Sequence, residues 1–225
     1  LPRVGPKTAS LAADSNSRPG DFLRLKASLG DELADIRLDL RANEARGGPL
    51  AGALGYSPNQ PFSAVALVNG EVVNAVVRTG DLTPLTIRGT YGKDQTRISG
   101  YADFSGSDLL KPFIDRIGRT ARFGLVVRPD TDGDGMQGVG WRLISDNLES
   151  TASGMLRTED RSTPDGIRLE VSTRSLTRLA GTTIAGPAAY TGVFKGDATR
   201  WSLNGALDLQ AADLASYRAQ RISGP

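Results

Sequence analysis

Apolar and polar residues alternate along most of this chain, and the period is two. Leu23, Leu25, Ala27 and Leu29 interleave with polar residues, as in a strand with one buried face. Ile36, Leu38, Leu40 and Ala42 face one way, and Arg37, Asp39 and Arg41 face the other. The same rule predicts strands over 62–68, 71–78 and 95–104, with one between the last two carrying Leu85, Ile87, Gly89 and Tyr91. Downstream it predicts strands over 121–128, 137–145, 149–157, 166–173, 188–195 and 200–209. Asn69-Gly70 predicts a type I′ hairpin, whose two central residues need positive φ. Thr79-Gly80-Asp81 and Gly92-Lys93-Asp94 read as further turns. Helical spacing is local. Leu110, Phe113, Ile114 and Ile117 predict a helix over 107–118, capped by Ser107 or Asp108, with Pro112 in its first turn and Gly118 as its stop. Short helical turns are expected at 175–180 and 212–219. The fold class that follows is all-β, mainly antiparallel, with a few short helices.

A unit recurs within this pattern: a strand ends in small polar residues, then a Ser/Asp-Leu step that can start a helical turn. Residues 101–110, 169–176 and 207–214 carry it, and Leu38–Leu50 is a degenerate copy with Gly47-Gly48-Pro49-Leu50 at the turn. Such repetition points to an extended sheet scaffold. Residues 1–20 are rich in Pro, Ser and Gly and read as an incoming strand (Val4 to Leu11) or linker. Residues 21–225 read as the repeat-built sheet, with a Gly/Pro-rich connection at 47–61.

Composition narrows the function classes. Lys+Arg 27 nearly balance Asp+Glu 25, no basic block exists and aromatics are only 6%, which argues against a nucleic-acid partner. The chain has no cysteine and no histidine. Thiol chemistry, Ser-His-Asp triads and most zinc sites are therefore absent, and no cofactor is expected. A carboxylate-pair hydrolase would need two inward acids, and Asp103 and Asp208 at strand ends are the nearest candidates. The chain starts at Leu1 without a signal-peptide core, which suggests a piece excised from a longer protein.

Two acidic loops stand out. Asp130, Asp132 and Asp134 space their carboxylates like the first half of a calcium loop, but the twelfth position is Trp141 where a bidentate Glu is needed. A solvated hairpin turn is the expected role, with a weak ion site as the alternative. The 159–166 loop is likewise expected to be a solvated turn.

The remaining feature is the apolar stripe that each strand contributes. The candidate ligand-facing positions are Ile36, Leu38 and Leu40, Val73 and Val77, and Ile98 with Phe104. Phe123, Leu125, Val127 and Trp141 continue them, followed by Ile167, Leu169, Val171, Leu203 and Leu207. These stripes either meet face to face in a closed sandwich or solenoid, or line an open hydrophobic groove.

The repeat grammar resembles that of the TamB/AsmA-like proteins. The residues that carry the likeness are 99–118 followed by Ala121-Arg-Phe-Gly-Leu-Val-Val, Gly80-Asp-Leu-Thr-Pro-Leu-Thr-Ile-Arg-Gly-Thr-Tyr-Gly, and Trp201 to Leu214. The likeness spans roughly residues 20–225. It implies an internal β-repeat segment of a protein anchored in the inner membrane of a Gram-negative bacterium and crossing the periplasm. It also implies a long sheet curled into an open, taco-like trough that carries phospholipid acyl chains between membranes or supports outer-membrane protein assembly. The implied partners are acyl chains, flanking β-repeats, and an outer-membrane barrel reached through regions outside this segment. The other expectation is a structural or adhesive β-scaffold of the envelope with no ligand.

Overall fold

The computed structural model describes residues 7–30, 35–92, 95–129, 133, 135–181, 183–197, 199–214 and 217–224. The chain is all-β and divides into two compact units between Lys111 and Pro112. The first holds β1 (Lys7–Asp14), β2 (Phe22–Leu29), β3 (Arg37–Glu44), β4 (Phe62–Asn69), β5 (Val72–Thr79), β6 (Leu82–Thr90) and β7 (Thr96–Asp103). The second holds β8 (Thr120–Arg128), β9 (Met136–Ser145), β10 (Leu148–Arg157), β11 (Thr163–Thr173), β12 (Ala188–Gly196), β13 (Trp201–Leu214) and β14 (Tyr217–Gly224). Within each unit the strand order is the sequence order and each described pair is antiparallel. Neither sheet closes on itself.

Three short helices, α1 (Pro49–Ala53), α2 (Lys111–Ile117) and α3 (Leu176–Ala180), all occur in connections at one end of the strands. The opposite end has turns. In the first unit α1 and Tyr56 cover Ala42, Phe62 and Ala64, with Leu23, Leu40, Leu50 and Val77 packed around them. A buried carboxylate holds α1 in place. Both Glu44 oxygens accept from the helix N-terminus, Oε1 from Leu50 N at 2.8 Å and Oε2 from Ala51 N at 2.9 Å. In the second unit Leu176, Ile184 and Ala185 pack on Ala188, Leu209, Ala212 and Ala219.

Asn147, buried in the β9–β10 turn, ties two helices together. Its Nδ2 donates to Arg116 O at 2.7 Å and Ser175 O at 3.2 Å, and its Oδ1 accepts from Ser175 N at 3.0 Å. Arg178 adds bonds from Nε and Nη2 to the carbonyls of Asp115 and Ile114. These bonds reach carbonyls of the last turn of α2, where helix ends leave acceptors without an intrahelical partner; Ile114 O also accepts from Gly118 N at 3.1 Å. Asn147→Ala leaves buried donors and acceptors unmet, so the expected loss is about 2 kcal/mol. For a chain of this size that lowers Tm by about 4–8 °C in a thermal melt. An unchanged melt would mean the turn is not holding the helices.

Several sequence expectations change. Residues 212–219 are not helical: β13 runs to Leu214 and pairs with β14, Ala212 opposite Ala219 and Asp213 opposite Arg218. The Asp213–Arg218 ion pair at 3.4 Å crosses this hairpin, a contact a helix would not need. At Asn69-Gly70 only Gly70 has positive φ, at 82°, so the turn is not type I′. The last strand pair is Val68 with Val73, which leaves a longer loop. The helix predicted over 107–118 is a 3-10 turn at Asp108–Leu110 running into α2. Ser107 does not cap it; its hydroxyl donates to Leu54 O at 2.7 Å. The 47–61 connection contains α1, and β11 starts at Thr163, before a register shift next to Gly166 with φ 83°. Lys7–Asp14 is a full strand paired with β2. The start of the expected first strand, the Lys93-Asp94 part of its turn, and Asp130, Asp132 and Asp134 lie outside the described residues.

Candidate functional site

Antiparallel register decides which side chains share a face, because directly paired residues point the same way. In the first unit it generates three rows. One runs Ala9, Ala27, Leu38, Val68, Val73, Gly89, Ile98. The next runs Leu11, Leu25, Leu40, Ala66, Ala75, Ile87, Gly100, and the third Ala13, Leu23, Ala42, Ala64, Val77, Leu85, Ala102. All three cross seven strands without a polar side chain. The opposite face carries Lys26, Asp39, Leu67, Asn74 and Arg88 in one row.

The second unit repeats the arrangement. Its rows are Val127, Val139, Gly154, Ile167, Phe194, Leu203 and Leu125, Trp141, Ala152, Leu169, Gly192, Gly205. A third runs Phe123, Leu143, Ser150, Val171, Tyr190, Leu207. Trp141 Nε1 donates across to the Ser150 hydroxyl of the next row at 3.2 Å, while the buried Tyr190 hydroxyl of that row has no hydrogen-bond partner among the described residues. Phe194 and Trp201 stack with centroids 6.1 Å apart.

Of the sequence-predicted positions, Leu38, Leu40, Val73, Val77 and Ile98 fall in the first unit's rows. Phe123, Leu125, Val127, Trp141, Ile167, Leu169, Val171, Leu203 and Leu207 fall in the second's. Ile36 and Phe104 lie just outside strands. The Ile36 carbonyl accepts from the Tyr91 hydroxyl at 3.0 Å.

Leu11, Leu143 and Tyr190 complete the rows and escaped the sequence reading. Tyr190 fills the space over Gly192 and Gly205, where a Cβ at either glycine would run into its hydroxyl. Gly138 and Gly140 lie on the polar face opposite Met155 and Ser153.

Helices cover only the helix-side ends of the faces. Most buried hydrophobic residues gather there, with Tyr91, Met136 and Ala152 buried elsewhere, while Leu11, Leu125, Trp141, Leu203 and Leu207 are exposed. Two compact globules of half this chain's 23.7 kDa would together expose about 11,900 Å², however arranged. The chain exposes 14718 Å².

The acids are elsewhere. Asp208 is on the polar face, where Arg221 Nη2 and Nε reach its carboxylate at 2.6 and 2.9 Å; the hydrogen bond from Arg221 holds its pKa below the usual range. Asp103 lies beyond the last registered pair of β7 and accepts from Ser105 N at 2.9 Å. Register thus corrects the inward expectation for Asp208. Asp160 accepts from Ser162 N at 3.0 Å in an exposed turn. Among the described residues no cluster of three or more acids could hold a metal ion.

Tyr56 is the buried group with a resolved shift. Burial, and after it the Asp103 carboxylate, raise its phenol above the ordinary value. Between the two values the unfolded tyrosine has lost a proton that the folded one keeps. This contribution to stability is therefore complete below pH about 10 and is lost as pH rises through the folded value. In an alkaline absorbance titration Tyr56 ionises late, and Tyr56→Phe removes that late step. A titration unaltered by the substitution would refute the assignment.

No family model, curated protein or solved structure matches this chain.

Proposed function

We propose that the apolar faces carry phospholipid acyl chains, and that the chain is a repeat segment of a TamB/AsmA-like protein of the Gram-negative envelope. The observation that carries this reading is the set of three unbroken apolar rows in the first unit, of which the helix-side row packs under α1 and Tyr56 while the turn-side rows have no helix over them. Six inter-strand steps of about 4.8 Å take each row about 29 Å. An acyl chain needs such a dry surface, free of unpaired polar groups, and gains about 0.8 kcal/mol per buried methylene. No proton transfer or covalent step is involved.

In this reading the segment belongs to the periplasmic part of a protein anchored in the inner membrane. Flanking β-repeats continue the sheet, and an outer-membrane barrel partner is engaged by regions outside it. No helix of the described residues is long and apolar enough to cross a membrane.

The test is photocrosslinking in Gram-negative cells from Leu125 and Leu169, with Arg122 and Arg168 on the polar face as controls. Phospholipid adducts from the two leucines alone are expected. A folded protein with no adducts at any of the four sites would overturn the reading in favour of a ligand-free scaffold.

A further inference from the structure

The apolar faces are open at one end of their strands and closed at the other. Along the apolar side of β13, exposure falls from Trp201 (65%) through Leu203 (45%) and Leu207 (44%) to Leu209 (7%), where α3 and its connection pack. In the first unit Leu29 is exposed at the turn-side end of β2, while Ala42, Phe62 and Ala64 are buried under α1 and Tyr56 at the helix side. Tyr91 (8% exposed) narrows the turn side there, its hydroxyl donating to Ile36 O at 3.0 Å.

Charge follows the same axis. Lys7 pairs with Leu29 and so stands on the apolar face at the turn side. Glu44 pairs with Phe62, on the same face at the helix side, and its carboxylate is occupied by α1. The described residues of the second unit's apolar rows include no charged side chain.

We propose that a bound phospholipid lies with its headgroup over the turn-side strand ends and its acyl chains pointing toward the helices. This rests on the acyl-chain reading and adds an orientation to it. A phosphate is attracted by Lys7, whereas at the helix side Glu44 is engaged by α1 and stands beside Arg18, so among the described residues that end offers no free cation beside Glu44. The Phe194–Trp201 pair at the turn side supplies aromatic rings of the kind that settle at headgroup level. The path is long enough. From Leu29 to Leu23 the strand advances about 20 Å, against about 15 Å for the hydrocarbon depth of one bilayer leaflet. At its far end the chain terminus meets the packed side chains of α1 or α3, not water.

The experiment uses the unaltered protein and phosphatidylglycerol vesicles doped with one of two photoreactive lipids. One carries a diazirine on the headgroup, the other on the terminal acyl carbon, and labelled peptides are mapped by mass spectrometry. The headgroup probe is expected to label 7–11 and 199–203 several-fold more than 44–56 and 176–188, and the tail probe to show the reverse preference. Equal labelling of both ends, or the opposite pattern, overturns the orientation while leaving acyl-chain binding in place. Labelling by neither probe overturns both.

Discussion

With glutamate in place of Leu125, phospholipid adducts formed from Leu169 fall by about tenfold or more, while the protein melts close to the wild-type temperature. Leu125 and Leu169 share the central row of the second unit, separated by Trp141 and Ala152. Leu125 is 38% exposed, so in the lipid-free protein a carboxylate there still reaches water. Away from packed features such a change costs about 0.5 kcal/mol or less. An acyl chain laid over it would strip that water, at a cost of several kcal/mol, and 1.4 kcal/mol is already tenfold in affinity. Arg122→Glu, on the opposite face, leaves the adducts unchanged. The two readouts separate the rival architectures. A loss of about 3 kcal/mol or more in stability would mean that protein covers the face. Undiminished adducts would mean that lipid does not lie on this row.

Glu44→Ala is expected to be the most destabilising single change in the first unit. Glu44 is only 3% exposed, and both its oxygens satisfy helix N–H groups that have no partner within α1. Hydrogen bonds to a charged group contribute about 1.5–3 kcal/mol each. Losing both lowers stability by about 3 kcal/mol or more, a Tm fall of about 6–12 °C at this chain length. Glu44→Gln keeps one acceptor and recovers part of the loss. Because α1 covers Ala42, Phe62 and Ala64, the alanine variant also uncovers them. Increased binding of a hydrophobic dye below the melting transition reports this. A melt and dye signal indistinguishable from wild type would show that α1 is held by packing alone.

The strands were legible because one face of each is apolar, and a period of two survives whatever covers that face. What the alternation could not reveal is whether anything covers it, since a closed sandwich writes the same stripes. Register was needed to align Leu40 with Ala66 and Ala75, and to move Asp208 to the polar side. The helices were harder. Pro49–Ala53 sits among glycines and reads as loop, and the group that stabilises its start, Glu44, lies in the preceding strand. Ala212 to Ala219 has helix-forming residues, but Ala212 is buried against α3's cluster and Asp213 meets Arg218 across a hairpin. Tertiary partners overrode local propensity there. Asn147 gave no signal in the sequence, because its value comes from bonds to residues about thirty positions away on both sides.

Strand order identical to sequence order has a kinetic consequence. Within each unit every strand finds its partner in the adjacent hairpin, so ordering the chain closes only short loops and contact order stays low. Such a sheet can grow from its first hairpin as the polypeptide emerges, each new strand docking on an edge already formed. A whole hairpin could be gained or lost in the same way without re-threading the rest. Length would then be the easiest property of this architecture for evolution to change.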